Sequence, residues 1–206
     1  MTKVKICGLS RPEDIDAVNR ALPDYIGFVF CESRRRVDET TAAGLRERLD
    51  DRIRAVGVFV NEDIGFIAGL SRRGVIDLAQ LHGDEDEAYI RRLREACGCR
   101  VIKTVGVSSA LPPLPNGPDY LLFDTASPQR GGAGRVFDWS VLQDYRGLPY
   151  FLAGGLTVER VAGAVRTLAP FCVDVSSGVE TDGKKDGGKI DAFVSLVRGN
   201  SMSSQK

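Results

Sequence analysis

Two side chains in this 206-residue chain stand where an acid and a base could work on one small molecule, the thiol of Cys7 and the carboxylate of Asp124. Cys7 closes the short run Lys3-Val4-Lys5-Ile6-Cys7-Gly8. Side chains alternate faces along a strand, so Lys5 and Cys7 share one face and Val4 and Ile6 the other. A thiol so placed is either a small buried hydrophobe or, with cations near it, a base whose pKa is drawn down from about 8.5. Asp124 follows the apolar Tyr120-Leu121-Leu122-Phe123. It either caps the next loop or pairs with an arginine, or it is a general acid held protonated by desolvation. Two small-residue turns, Gly154-Gly155 and Ser177-Gly178, follow apolar runs late in the chain. They let backbone N–H groups approach an anion, which suits a phosphate. His82 is the only histidine and reads as a hydrogen-bonded structural or loop-positioning group.

These residues need elements to carry them. Strands are expected at 3–8, 25–30, 55–60, 77–83, 101–106, 120–124, 150–153 and 172–176, mostly short apolar runs of the kind buried on both faces. Helices are expected after Ser10, taken as an N-cap before Pro12, and at about 40–49, 64–70, 84–96, 158–168 and 188–197. Between the fifth and sixth strands, Leu111-Pro112-Pro113-Leu114-Pro115 does not fit a regular helix. Eight strands alternating with helices predict a parallel sheet closed into a (β/α)8 TIM barrel over 1–199, with a degenerate fifth connection and a disordered tail over 200–206. An open doubly wound sheet is the alternative, but Gly8-Leu9-Ser10-Arg11 lacks the G-x-G-x-x-G pattern. In a barrel, function gathers at the carboxyl ends of the strands, and phosphate often sits after the seventh and eighth. Both small-residue turns lie there. Lys5 and Asp174 are expected to face inward as an ion pair on neighbouring strands, with Lys103 extending their network.

Composition narrows the function classes. Lys+Arg 28 balance Asp+Glu 28, which gives no bulk attraction to nucleic acid. Five cysteines at irregular spacing suit reduced thiols in a cytoplasmic setting. One Cys-x-Cys with a single histidine makes no zinc pattern, so no metal is expected. No apolar run approaches membrane-spanning length, and the N-terminus shows no signal-peptide core.

In order along the chain stand Lys5-Ile6-Cys7-Gly8, Gly27-Phe28-Val29-Phe30, Gly57-Val58-Phe59-Val60-Asn61, Gln80-Leu81-His82-Gly83 and Leu122-Phe123-Asp124-Thr125. Gly131-Gly132-Ala133-Gly134, Phe137-Asp138-Trp139, Gly154-Gly155-Leu156 and Asp174-Val175-Ser176-Ser177-Gly178-Val179-Glu180 follow. Together they resemble the phosphoribosylanthranilate isomerase family of tryptophan biosynthesis, over nearly the whole chain. The resemblance implies a (β/α)8 barrel and a cofactor-free Amadori rearrangement of a phosphosugar anthranilate, in a monomer or homodimer. It implies Asp124 as general acid and Cys7 as base. The family's Ser-x-Arg-x-hydrophobic pattern falls on Ser33-Arg34-Arg35-Arg36-Val37 and gives Arg35 the anthranilate carboxylate. It further implies Gln80, His82 and Asp174 as substrate-binding residues, and Gly154, Gly155, Ser177 and Gly178 as holding phosphate through backbone N–H groups. Thr157-Val158-Glu159-Arg160 departs from the family's usual seventh loop, and Arg36 stands where the family often has Tyr. The glycine-rich loop 125–137 is expected to close as a lid. The related histidine-pathway isomerase is the second enzymatic reading, but it carries a carboxylate at the position of Cys7 and an internal two-fold repeat. A phospholigand-binding barrel without catalysis is the non-enzymatic one.

Overall fold

The structure, a computed structural model, describes residues 1–126 and 137–203. Eight parallel strands close into one barrel in sequence order: β1 (Lys3–Cys7), β2 (Tyr25–Val29), β3 (Arg54–Phe59), β4 (Leu78–Leu81), β5 (Arg100–Val107), β6 (Tyr120–Thr125), β7 (Tyr150–Leu152) and β8 (Cys172–Val175). The last strand pairs with the first, and their register sets Lys5 opposite Asp174. Helices α1 (Pro12–Ala21), α2 (Glu39–Glu47), α3 (Ile64–Arg72), α4 (Glu87–Cys97), α5 (Val158–Leu168) and α6 (Gly187–Ser203) cover the outside. Residues 108–119, between β5 and β6, hold no helix, as the proline run requires. The sixth connection carries a single 3-10 turn, Trp139–Leu142, among its described residues.

Period-two alternation divides the core in two. Tyr25, Val56, Leu78, Ile102, Tyr120, Leu122, Phe151 and Cys172 fill the inside of the barrel, with Tyr25 and Tyr120 meeting Phe151 edge-on. The other parity (Val4, Ile6, Ile26, Phe28, Ala55, Leu81, Leu121, Val173) packs under the helices. One pleat further along the inward face, the apolar filling gives way to Lys5, Gln80, Thr104 and Asp174. A sealed floor beneath a polar layer is what keeps the chemistry at one end.

Two expectations change in detail, and one element is new. The N-cap of α1 is Arg11 rather than Ser10. The carboxylate of Asp14 reaches back to accept from the N–H groups of both Ser10 and Arg11, the half of a capping box that the third helical residue supplies. Helix α6 continues past Val197 to Ser203, so 200–203 form its end, and 204–206 lie outside the described residues. A short antiparallel hairpin, β9 (Glu180–Thr181) and β10 (Lys184–Lys185), precedes α6 and was not anticipated. Most of the loop expected as a lid, 127–136, also lies outside the described residues.

Candidate active site

The polar layer is built around Lys5. Its ammonium is fully buried and donates to Gln80 Oε1 at 2.9 Å and to Asp174 Oδ2 at 2.9 Å. Burial works against that charge, but Asp174 and Cys7 outweigh it and hold the Lys5 pKa above its ordinary value. Gln80 is oriented in turn, its amide nitrogen lying 3.4 Å from Thr104 Oγ1 and 3.5 Å from His82 Nδ1. The second oxygen of Asp174, Oδ1, is buried and has no hydrogen-bond partner among the described residues. Lys103, expected to extend this network, does not. It lies on the parity of Val101 and Val105, so its amine leaves the barrel interior and bonds Gly83 O at 2.7 Å and Glu85 Oε2 at 2.8 Å.

Cys7 stands one pleat above Lys5 on the same face. Burial pushes its thiol above the ordinary range; the cations Lys5 and Lys185 pull the other way, and Asp174 adds to the push. Gly27, its register partner on β2, makes the room: a Cβ there would lie 2.7 Å from Cys7 Sγ. Asp124 ends β6 on the inward face and accepts from the N–H of Thr125 at 2.8 Å. Burial pushes its carboxyl up to about 6, against the Thr125 bond and Lys5, with Asp174 pushing the same way as burial. Lys5 and Asp174 therefore stand in the field of both groups, and a thiol and a raised carboxyl line one mouth. The pair is suited to moving protons to and from a single bound molecule.

The two small-residue turns meet. Gly154 and Gly155 both have positive φ, 81° and 66°. A Cβ on Gly154 would lie 2.6 Å from Thr125 Oγ1, and one on Gly178 would lie 2.0 Å from Leu156 O. The loops after β6, β7 and β8 are thus in backbone contact, with glycine required where they touch. A groove of about 530 Å³ beside them is lined by Thr157, Ser177, Gly178 and Glu180 among others, between the starts of α5 and α6. Backbone N–H groups of such turns and a helix N-terminus favour an anion, although Glu159, Glu180 and Asp186 also line the groove.

Arg35 is brought to the same mouth. A Cβ on Gly8 would lie 2.4 Å from Arg35 Cδ, so the arginine stem runs over the residue that follows Cys7. Its guanidinium pairs with Glu180, Nε to Oε1 at 2.6 Å and Nη2 to Oε2 at 3.0 Å. Glu180 and Lys185 were not singled out from the sequence. The signal was there: Asp182-Gly183 is a two-residue hairpin turn, and both residues have positive φ, 50° and 76°. Cys7, Gln80, His82, Asp124 and Asp174 come together in the barrel mouth, and Arg35, Gly154, Gly155, Ser177 and Gly178 ring it. Among the described residues no group of three or more His, Cys, Asp or Glu could hold a metal ion. No helix of these residues is long and apolar enough to cross a membrane.

The chain has recognisable relatives. A family model described as N-(5'phosphoribosyl)anthranilate (PRA) isomerase matches residues 4–196. The N-(5'-phosphoribosyl)anthranilate isomerase of Endomicrobium trichonymphae is 50% identical over 199 residues, which cover 96% of this chain and 99% of that one. The crystal structure of phosphoribosyl anthranilate isomerase from Thermotoga maritima superposes with a TM-score of 0.84 at 36% identity, covering 97% of this chain and 100% of that one. A crystal structure of such an isomerase in complex with reduced 1-(o-carboxyphenylamino)-1-deoxyribulose 5-phosphate gives a TM-score of 0.81 at 34% identity, with the same coverage. With its closed barrel and a family match spanning nearly its whole length, this chain belongs to the phosphoribosylanthranilate isomerase family of tryptophan biosynthesis.

Proposed function

We propose that this isomerase converts N-(5-phosphoribosyl)anthranilate to 1-(2-carboxyphenylamino)-1-deoxyribulose 5-phosphate by an acid–base Amadori rearrangement. The observation that carries the reading is the pairing at one barrel mouth of a carboxyl raised to about 6, Asp124, with a thiol beside two cations, Cys7. The protonated Asp124 gives its proton to the ribose ring oxygen as the C1–O bond breaks, leaving a Schiff base at C1. The Cys7 thiolate takes the proton from C2, and that electron pair forms the C1–C2 double bond of an enolamine. The enol hydroxyl on C2 then loses its proton while C1 gains one, giving the ketone. No atom is gained or lost, and the reaction needs no cofactor.

The remaining groups hold the substrate. The Gly154-Gly155 and Ser177-Gly178 turns take the phosphate through their N–H groups. The orphaned Oδ1 of Asp174 accepts from a sugar hydroxyl, which satisfies a buried oxygen that is otherwise unpaired. Gln80 and His82 line the same wall, and Arg35 receives the anthranilate carboxylate. The complex of a relative with the reduced product analogue supports this choice of ligand. The test is turnover of freshly generated phosphoribosylanthranilate, followed by loss of anthranilate fluorescence. The wild-type chain consumes it with formation of an isomer of equal mass. A folded sample with no turnover contradicts the proposal and favours a binding barrel.

A further inference from the structure

The hairpin between β8 and α6 carries a charge cluster that the acid–base chemistry draws on only through the field of Lys185 at Cys7. Register sets Lys185 of β10 directly opposite Glu180 of β9. The Lys185 side chain is 1% exposed, and its ammonium bonds Glu180 Oε1 at 2.8 Å and Ser176 O at 2.9 Å. Glu180 is itself 5% exposed and accepts from three side chains, Lys185, Arg35 and Arg34. Burial alone would raise its pKa, but the hydrogen bonds of Arg35 and Lys185 hold it down to about 2. One carboxylate among three cations leaves a cationic excess at the mouth.

The geometry of the Arg35 contact says where that excess points. Glu180 takes the side of the guanidinium, through Nε and Nη2. Both N–H groups of Nη1 and the second N–H of Nη2 have no partner among the described residues. The second N–H of Nη2 and the Nη1 N–H that faces it form the outer edge of the fork, the edge suited to a second carboxylate. An arginine held only by its own stem would have to be ordered by the ligand at each binding event. Here the ordering is already done by a buried anion that a buried lysine fixes in turn.

We propose that Glu180, anchored by Lys185, is the positioning residue of the carboxylate receptor, fixing Arg35 side-on so that its outer edge meets the carboxylate of the aromatic ring. This rests on the reading of Arg35 given above. Two stable ligands separate the possibilities, the reduced 1-(o-carboxyphenylamino)-1-deoxyribulose 5-phosphate and the same compound without its carboxylate. In Glu180→Gln the inhibition constant of the first rises about tenfold, the order of loss when a rotamer-rich side chain must be ordered on binding. That of the second does not change, and with true substrate the loss appears in KM rather than in kcat. Glu180→Asp keeps the charge and a partner for Lys185, so it tests the same geometry if the glutamine variant folds poorly; it shows the same selective loss. Weakening of both ligands alike, or of neither, overturns the proposal. Arg35→Met tests the underlying reading by itself. If it fails to discriminate between the two ligands, the carboxylate assignment falls. If it discriminates and the Glu180 variants do not, only the role of Glu180 falls.

Discussion

In the proposed mechanism Asp124 and Cys7 set the pH behaviour between them. A general acid has to be protonated and a general base deprotonated. Here the acid has the lower pKa, about 6, and the thiol lies above its ordinary value. The working form, protonated Asp124 with thiolate Cys7, is therefore a minor one. Its population rises with pH up to about 6, stays level, and falls once the thiol itself has titrated. The kcat/KM profile should follow that shape, with the acidic limb set by Asp124. The same shift carries a stability cost. A carboxyl whose pKa is raised by folding favours the folded state below its unfolded pKa, and that contribution is lost as pH rises through 6. Asp124→Asn should therefore be inactive yet more stable than wild type at pH 8, by about 1–3 kcal/mol, with the difference vanishing near pH 4. Urea titrations at the two pH values measure it. Gly27→Ala tests the space around the thiol. Its Cβ would meet Cys7 Sγ and also the Cys7 backbone, so it should cost about 1–3 kcal/mol and displace the thiol. A variant with wild-type kcat would contradict the packing.

The strands and helices were legible because each announces itself within a few residues. Buried runs such as 25–30 and 120–124 have few other places to go, and the proline run forbids a helix over 111–118 whatever surrounds it. What was not legible depends on contacts across the chain. Lys103 was expected beside Lys5, but facing is decided by strand parity, and Lys103 alternates with the inward Ile102 and Thr104. Its actual task is to tie β5 to the loop after β4. Glu85 accepts from Lys103 and from the backbone of Asn61 and Gly83, at 1% exposure of its side chain. Lys103→Met leaves that carboxylate buried without its counter-charge and should destabilise the fold by about 3 kcal/mol. A urea midpoint within error of wild type would contradict this. The Glu180–Lys185 hairpin was missed for the opposite reason. Its turn signal is local and plain, but its partner Arg35 is 145 residues away, and nothing in the chain announces that distance.

At the scale of the molecule, closure is what brings the first strand to the last. Lys5 and Asp174 are 169 residues apart in sequence and opposite each other in register. That pair was anticipated from the barrel alone, because eight strands in order leave β1 and β8 no other neighbours. The net charge of zero hides a local excess: Arg34, Arg35 and Lys185 share the single carboxylate of Glu180, while Lys5 is paired with Asp174. If the proposed substrate, with its phosphate and carboxylate, is steered by that excess, kcat/KM should fall as salt rises from about 0.01 to 1 M and the screening length shrinks from about 30 to 3 Å. A salt-independent kcat/KM would contradict steering.

The central claim is that one thiol and one carboxyl carry the reaction. It is tested most directly by kcat for phosphoribosylanthranilate in Cys7→Ser and Asp124→Asn, each checked for folding by circular dichroism. Both should fall by about 10²–10⁴, with the inhibition constant of the reduced product analogue little changed. Full activity in Cys7→Ser would remove the base from the mechanism and contradict the proposal.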